Sequence, residues 1–302
     1  MATYNGEKWI SHQLTSIIGQ IGVSVDLSIT DDISSDNTAT IVMDAVNALE
    51  CSNFIQNKKS SGSAGGNFRC IFKNVNVDGY DYVALADQDD IWNNGKIFQA
   101  IKNIKLNNAD GYSCSASAFW SNGKEKLLKQ NNNIRSADQL FEGAGQGCTF
   151  VMQRQFFQDI QNFCRKYPNE VEELHYHDWL IYLLARAWSK KWYFDQIPWI
   201  QYRQHSSNEI GARGSWLALQ HRLGLIRNGW YKRQIQAASR IYILANGQDP
   251  GALKLASSYF YQKGLKRPFP QRLSLALQVL RHSRRSLSDR LILVMSALAG
   301  WI

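Results

Sequence analysis

Twice in its first third this chain drives a strand-spaced apolar run straight into carboxylates. Val23, Val25, Leu27 and Ile29 alternate with other residues and end in Thr30-Asp31-Asp32, and Tyr80–Ala86 (YDYVALA) leads directly into Asp87-Gln88-Asp89-Asp90. Period-two alternation, or a short apolar run bounded by turn residues, predicts a strand. Around these runs the apolar spacing is helical, over 7–20, 38–49, 67–76 and 95–106, with Gly62–Gly66 as a flexible loop. Strands alternating with helices predict an α/β domain: a Rossmann-like, mostly parallel sheet flanked by helices. Such sheets bind ligands outside the carboxyl ends of their strands, where both acidic groups fall. Further strands are predicted at Phe54-Ile55, 112–119, 147–152, Trp192–Phe194 and Trp199–Tyr202, and helices at 154–165 and from His177 to Trp188. Beyond Gly214 the pattern is helical, broken near Asp249-Pro250, Pro268 and Pro270.

Charge divides the chain. Residues 1–200 hold 18 Lys and Arg against 22 Asp and Glu, whereas residues 201–302 hold 16 against 3. A basic end implies an anionic partner: nucleic acid, anionic lipid or a phosphorylated substrate. Five cysteines without a CxxC pair predict small buried thiols in a reducing cytosol rather than disulfides or a zinc site. The start, MATYNGEKW, has no apolar core of a signal peptide, and no apolar run is long enough to span a bilayer.

Three carboxylates within Asp87–Asp90 repel one another. At a strand end they can share Mg²⁺ or Mn²⁺, cations that prefer oxygen ligands and bridge carboxylates to phosphates; the bland alternative is a polar loop capping the next helix. Asp31 and Asp32 can accept hydrogen bonds from a ribose or base edge, or simply build a turn. Asp178, opening an apolar helix after His177, can act as a general base or as an N-cap. Arg203 suits bidentate phosphate contact and His205 a metal, although such residues alone are usually structural.

In order, TYNGE (3–7), DDISSDNT (31–38), GGNF (65–68), ADQDDIW (86–92), HDWL (177–180) and YRQHSSNEIGA (202–212) resemble glycosyltransferase family 2, in particular its bacterial rhamnosyltransferase-like branch. The resemblance covers about residues 2–212, and DQDDIW and the RQHxxNxxGA segment are its more specific parts. It implies a GT-A fold over 1–212 and an inverting transfer, with residues 213–302 as a basic helical extension. It places Thr3, Tyr4, Glu7 and Asn67 by the nucleotide, Asp31 and Asp32 at base and ribose, Asp87 and Asp89 on the metal and donor diphosphate, Asp178 as the base, and Arg203 and His205 near diphosphate or metal. The implied donor is a nucleotide sugar, dTDP-rhamnose, and the implied acceptor a lipid-linked intermediate of a surface polysaccharide such as O-antigen or capsule. A UDP-hexose donor, or a non-catalytic nucleotide-sugar-binding relative, are the alternatives. In the family a TYNGE-like motif follows an apolar strand; here only Met1 and Ala2 precede Thr3, so the first strand is expected to be missing and the true start to lie upstream.

In the last third, Trp216, Leu219, Leu223 and Ile226 recur at helical spacing with Arg222, Arg227, Lys232 and Arg233, and Arg281, Arg284, Arg285 and Arg290 precede an apolar end containing Trp301. Basic amphipathic helices with aromatic residues suit an anionic membrane surface, here the inner face of the cell membrane; a helical bundle with a solvated basic face is the alternative. No nucleic-acid-binding module is recognised, so nucleic acid is not expected as a partner.

Overall fold

The computed structural model describes residues 1–47, 52–205, 215–260 and 267–302. They form two compact units, Met1–Gln130 with Ala144–Lys166 and Lys191–Gly211, and Asn131–Gly143 with Tyr167–Lys190 and Ala212–Ile302. Residues 48 and 49 of the predicted second helix, Cys51, and Asn208, Gly211 and Ala212 of the RQH segment lie outside the described residues, as do the side chains of Trp216 and Leu219.

In the first unit, β1 (Ala2–Thr3), β2 (Ser28–Asp31) and β3 (Asn53–Gln56) form a parallel sheet in that order. With them go α1 (Ile10–Ile18), α2 (Thr38–Asn47) and α3 (Ala64–Asn74). The second sheet contains β4 (Tyr82–Ala84), β5 (Ile91–Trp92), β6 (Gly111–Trp120), β7 (Glu125–Leu128), β8 (Val151–Gln153) and β9 (Trp192–Gln204). Its order is β4-β8-β6-β9-β5, with β7 on β6. The long β6–β9 ladder is parallel, while the β4–β8, β6–β8, β6–β7 and β5–β9 ladders are antiparallel. Parallel pairing therefore holds for the first sheet and the spine of the second. The helices α4 (Lys96–Asn107) and α5 (Arg154–Lys166) pack on strands of the second sheet. Phe72 meets Phe157 edge-on at 5.6 Å and Phe150 meets Trp192 edge-on at 4.8 Å, so aromatic rings fill the core.

Several predicted boundaries move, each for a local reason. The alternation over 23–29 becomes strand only at Ser28, where pairing to β3 begins. The Gly62–Gly66 loop ends early: Ser63 caps α3 by accepting the Gly66 N–H at 3.0 Å, so Gly65 and Gly66 are helical. The two short strands expected at 192–202 are one, β9, with register shifts opposite Cys114–Ala116. The residues of β4 are half-buried. They line a cavity of about 850 Å³, with Leu27, Ser28 and Met1 on its wall. The Met1 amino group is buried and donates to the Ser28 carbonyl at 2.6 Å, and that burial pulls its pKa down to about 5.

The second unit contains α6 (Pro168–Glu173), α7 (His177–Ala187), α8 (Ser215–Arg227), α9 (Trp230–Leu244), α10 (Pro250–Phe260), α11 (Phe269–His282) and α12 (Leu287–Leu298). A division at 212/213 is too simple, because 131–143, α6 and α7 cluster with the C-terminal helices. Ion pairs and polar ties explain why. Asp138 Oδ1 pairs with Arg186 at 2.6 Å and Asp138 Oδ2 accepts the Tyr182 hydroxyl. Arg285 donates to Glu142 at 3.1 Å and to the Gly143 carbonyl. Arg284 pairs with Asp289 at 3.0 Å, and Gln234 bridges the His175 N–H and the Glu173 carbonyl. Arg284 and Arg285, expected on a basic face toward an anionic membrane surface or, alternatively, solvent, are therefore turned inward; a guanidinium leaves water only where such partners offset its desolvation.

Candidate functional site

The end of β1 and the end of β2 meet in one hydrogen-bonded loop system. Asn5 and Ile33 both adopt left-handed backbone, with φ of 48° and 64°. For a β-branched residue that conformation is costly, on the order of 1–3 kcal/mol, and persists only when the surroundings hold it. They do. The Asn5 N–H donates to Ser34 Oγ, and Asn5 Oδ1 accepts the Ser35 N–H at 2.8 Å. Glu7 accepts the Asn37 side-chain amide at 2.7 Å and the Asn37 N–H, tying TYNGE to the start of α2.

Asp31 is fully buried and takes the Thr3 hydroxyl at 2.9 Å, the Ser34 N–H at 2.8 Å and the Gln56 amide at 3.3 Å. Asp32 accepts the Ser61 N–H at 2.7 Å, the Ser61 and Ser60 hydroxyls and the Asn57 amide. Burial pushes the Asp32 carboxyl up, but these donors outweigh it and hold the group below its ordinary value. Asn67, buried in α3, donates to the Thr30 carbonyl at 2.9 Å and the Thr3 carbonyl at 3.2 Å, so it laces β1 to β2. Of the residues expected at the nucleotide, Thr3, Asp31 and Asn67 thus frame the site from behind, while Tyr4 is 55% exposed.

The second acidic group follows β4. Gln88 clamps Tyr4, accepting its N–H and donating to its carbonyl, both at 2.8 Å. A Cβ at position 6 would lie 2.3 Å from Gln88 Oε1, so a side chain there would displace Gln88 from the clamp. Asp89 Oδ2 lies 2.7 Å from His205 Nε2, and the His205 ring stacks on Trp9 with centroids 4.0 Å apart. Arg203 donates from Nε to the Asp89 carbonyl at 2.8 Å and lies over the Phe119 ring, its partner across the β6–β9 ladder. Asp90 is fully buried; its Oδ1 accepts the Arg203 N–H at 3.1 Å. Burial first, and then the Asp89 and Asp87 charges, push its carboxyl well above the ordinary range.

The residues close enough to share a divalent cation are not the expected Asp87, Asp89 and His205, because the Asp89 carboxylate is taken up by His205; they are Asp87 and Asp90. Asp90 Oδ2 is buried without a hydrogen-bond partner. Ligand atoms of Asp87, Asp90 and Cys148 lie within 4.8 Å of one another. Burial and the Asp90 and Asp87 charges push the Cys148 thiol well above its usual value, so it stays a neutral thiol beside Asp90. The oxygens remain, and hard cations prefer them. Cys148, Gln88 and Trp9 were invisible as site residues in the sequence; Trp9 read as one of the apolar positions of a helix, and Cys148 as an ordinary buried thiol.

Asp178 belongs to the helical unit. It sits in the first turn of α7, where Tyr176 is the N-cap, and its Oδ1 accepts the Trp179 N–H at 2.6 Å. It is therefore not the cap itself.

The sequence model described as Glycosyl transferase family 2 matches residues 1–164, more than half of the chain. The chain belongs to glycosyl transferase family 2. A dTDP-rhamnosyl transferase, RfbG of Shigella flexneri, is 39% identical over 236 residues, covering 78% of this chain and 82% of that protein. Among solved structures, TarS of S. aureus in complex with UDP-GlcNAc superposes over 99% of this chain and 86% of that one, with a TM-score of 0.59 and 14% identity. The mannosyltransferase PcManGT from Pyrobaculum calidifontis, solved with GDP-Man and Mn²⁺, covers 99% and 84% with a TM-score of 0.51 and 12% identity. These likenesses establish the GT-A fold. In this glycosyltransferase the described TYNGE, DDIS, DQDD and RQH residues belong to one unit and interlock through Asn5–Ser35, Tyr4–Gln88 and Asp89–His205.

Proposed function

We propose that this glycosyltransferase moves L-rhamnose from dTDP-rhamnose, with inversion, to a hydroxyl of a lipid-linked surface-polysaccharide intermediate such as O-antigen or capsule, at the inner face of the cell membrane. One observation carries the proposal. The carboxylates of Asp87–Asp90 gather at a strand end beside Arg203 and His205, in a chain 39% identical to a dTDP-rhamnosyl transferase.

The thymine and ribose lie against the loops that Thr3, Asp31, Asp32 and Asn67 hold in place, with Tyr4 and Glu7 at their edge. Arg203, stacked on Phe119 and anchored to the Asp89 carbonyl, brings its positive charge to the diphosphate. Mg²⁺ or Mn²⁺ would be held by Asp87 and Asp90, and when bound would supply positive charge against the nucleoside-diphosphate leaving group. Asp178 takes the proton of the acceptor hydroxyl. That oxygen bonds to the anomeric carbon as the carbon–oxygen bond to the β-phosphate breaks, and dTDP leaves with the electron pair. No covalent enzyme intermediate forms.

A UDP-hexose donor is the second reading, favoured by the structural likeness to TarS, which was solved with UDP and UDP-GlcNAc. A donor screen with Mn²⁺, reading nucleotide diphosphate release and thermal stabilisation, tests both. Release of dTDP, abolished by EDTA, is expected. Turnover of a UDP-hexose alone would replace the rhamnose assignment. Stabilisation by nucleotide sugars without any turnover would make the protein a binding relative.

A further inference from the structure

The proposed membrane location rests on overall charge, and the charge turns out to be unevenly available. Arg284 and Arg285 are internal ion-pair partners of Glu142 and Asp289. Arg240 is tied to Glu173. What remains on the surface of the helical unit is more specific than a basic face.

The helices α11 and α12 form an antiparallel pair. Arg290, in the first turn of α12, donates to the Leu280 carbonyl near the end of α11, and Gly300 lies against Arg272 at the opposite end. Each helix buries one apolar stripe, Leu275, Ala276 and Val279 in α11 and Leu293 and Ala297 in α12. Each also carries a second stripe at i, i+4 and i+8 that nothing among the described residues covers: Phe269, Leu273 and Leu277, and Leu287, Leu291 and Met295. Phe269 and Met295 are each 65% exposed. Residues four apart in a helix lie one above another on one face, so each set is a continuous apolar ridge. Trp301 follows, partly exposed, with the Arg227 guanidinium 5.5 Å from its ring. At the other end of the pair stands exposed Arg281. The two helices contain a single acid, Asp289, and it is paired with Arg284 and Arg222.

We propose that this α11–α12 pair is the surface that docks on an anionic lipid bilayer, the two apolar ridges entering the headgroup–acyl boundary with Trp301, Arg227 and Arg281 at the rim. Long exposed apolar ridges need a cover, and helices with an apolar face and a basic rim lie in the plane of the membrane interface. Charge decides between a bilayer and a second copy of the chain. With Arg272, Arg281 and Arg290 on the pair, Arg227 beside it and its one acid already paired, two copies joined by this face would oppose like charges, whereas anionic headgroups attract it. The proposal deepens the membrane reading above and does not depend on donor identity or turnover.

The test is co-sedimentation of the full chain with vesicles of phosphatidylethanolamine and phosphatidylglycerol, and with phosphatidylcholine vesicles. Binding to the first and not the second is expected, weakened when salt is raised about tenfold because the charge attraction is screened. Leu273→Glu with Leu277→Glu and Leu291→Glu should lower partitioning at least about tenfold. Because all three side chains are exposed, the melting temperature and turnover of a soluble acceptor should stay near wild type. Phe269→Ser with Met295→Ser, at the two most exposed positions, is the milder second variant. Wild-type partitioning in both variants would overturn the proposal. So would a wild-type dimer that the variants convert to monomer while vesicle binding persists, since the face would then belong to a second copy. Asp178→Asn, which should bind vesicles normally while losing turnover, keeps this outcome separate from that of the proposed reaction.

Discussion

Both units of the molecule gather carboxylates, and they treat them in opposite ways. In the helical unit Asp138, Glu142 and Asp289 are interleaved with the guanidiniums of Arg186, Arg222, Arg284 and Arg285. In the sheet unit Asp87, Asp89 and Asp90 crowd one strand end, where burial first, and then the Asp89 and Asp87 charges, push the Asp90 carboxyl well above its usual range. The first arrangement is neutralised from within and acts as a cross-link. The second crowds three carboxylates at one point, with Asp89 on His205 and Arg203 on the Asp89 carbonyl. Crowded carboxylates with a perturbed buried member at a strand end of an α/β sheet point to a binding role.

The sharpest way to break the comparison is to remove one carboxylate from the sheet unit. Asp89→Ala should lower turnover by about 10²–10³-fold or more, the scale of losing a group that stabilises developing charge, with little loss of melting temperature. If it unfolds the protein instead, the two clusters are alike and the site assignment fails. Asp178→Asn should cost about 10²–10⁴-fold in kcat, the range for a general base, while leaving nucleotide affinity intact; full activity would remove it from the chemistry.

Arg285→Met probes the other cluster. Removing one partner of a buried ion pair typically costs about 3–5 kcal/mol, so urea unfolding should shift strongly, and donor affinity of the folded fraction should hold. A smaller gain is expected at the cavity beside Met1. Adding a short run of Val and Ile ahead of Met1 would fill it with extended chain and remove a buried amine; we expect about 0.5–2 kcal/mol of stabilisation, read by melting temperature. The smallest effect belongs to Asp32. Its folded carboxyl lies below 3.8, so its contribution is complete above that value and fades as the pH falls through the depressed folded pKa. Asp32→Asn should flatten that acid limb.

Much of this was written locally. Alternation, helical spacing and the carboxylates at strand ends are short-range patterns, and they gave the α/β class, the positions of β6, α1, α4 and α7, and the strand-end acids. Chain-distant pairing is not a local pattern. Nothing within Trp192–Gln204 announces that it pairs in parallel with Gly111–Trp120, or that Pro198 sits in an irregularity rather than a break. For the same reason Arg284 and Arg285 read as surface charge, since their carboxylate partners stand more than a hundred residues earlier or on the next turn of chain.

What the sequence determined by itself is therefore the inventory: a nucleotide-sugar transferase fold, acids after its strands, and a basic helical end. What only the tertiary structure decided is which of those residues face outward. Asp31 and Asn67 brace the loops, Cys148 joins Asp90, Trp9 seats His205, and the apolar ridges of α11 and α12 stay uncovered. Side-chain periodicity selects a face of an element, but its neighbours across space determine whether that face is covered, paired or left for a ligand.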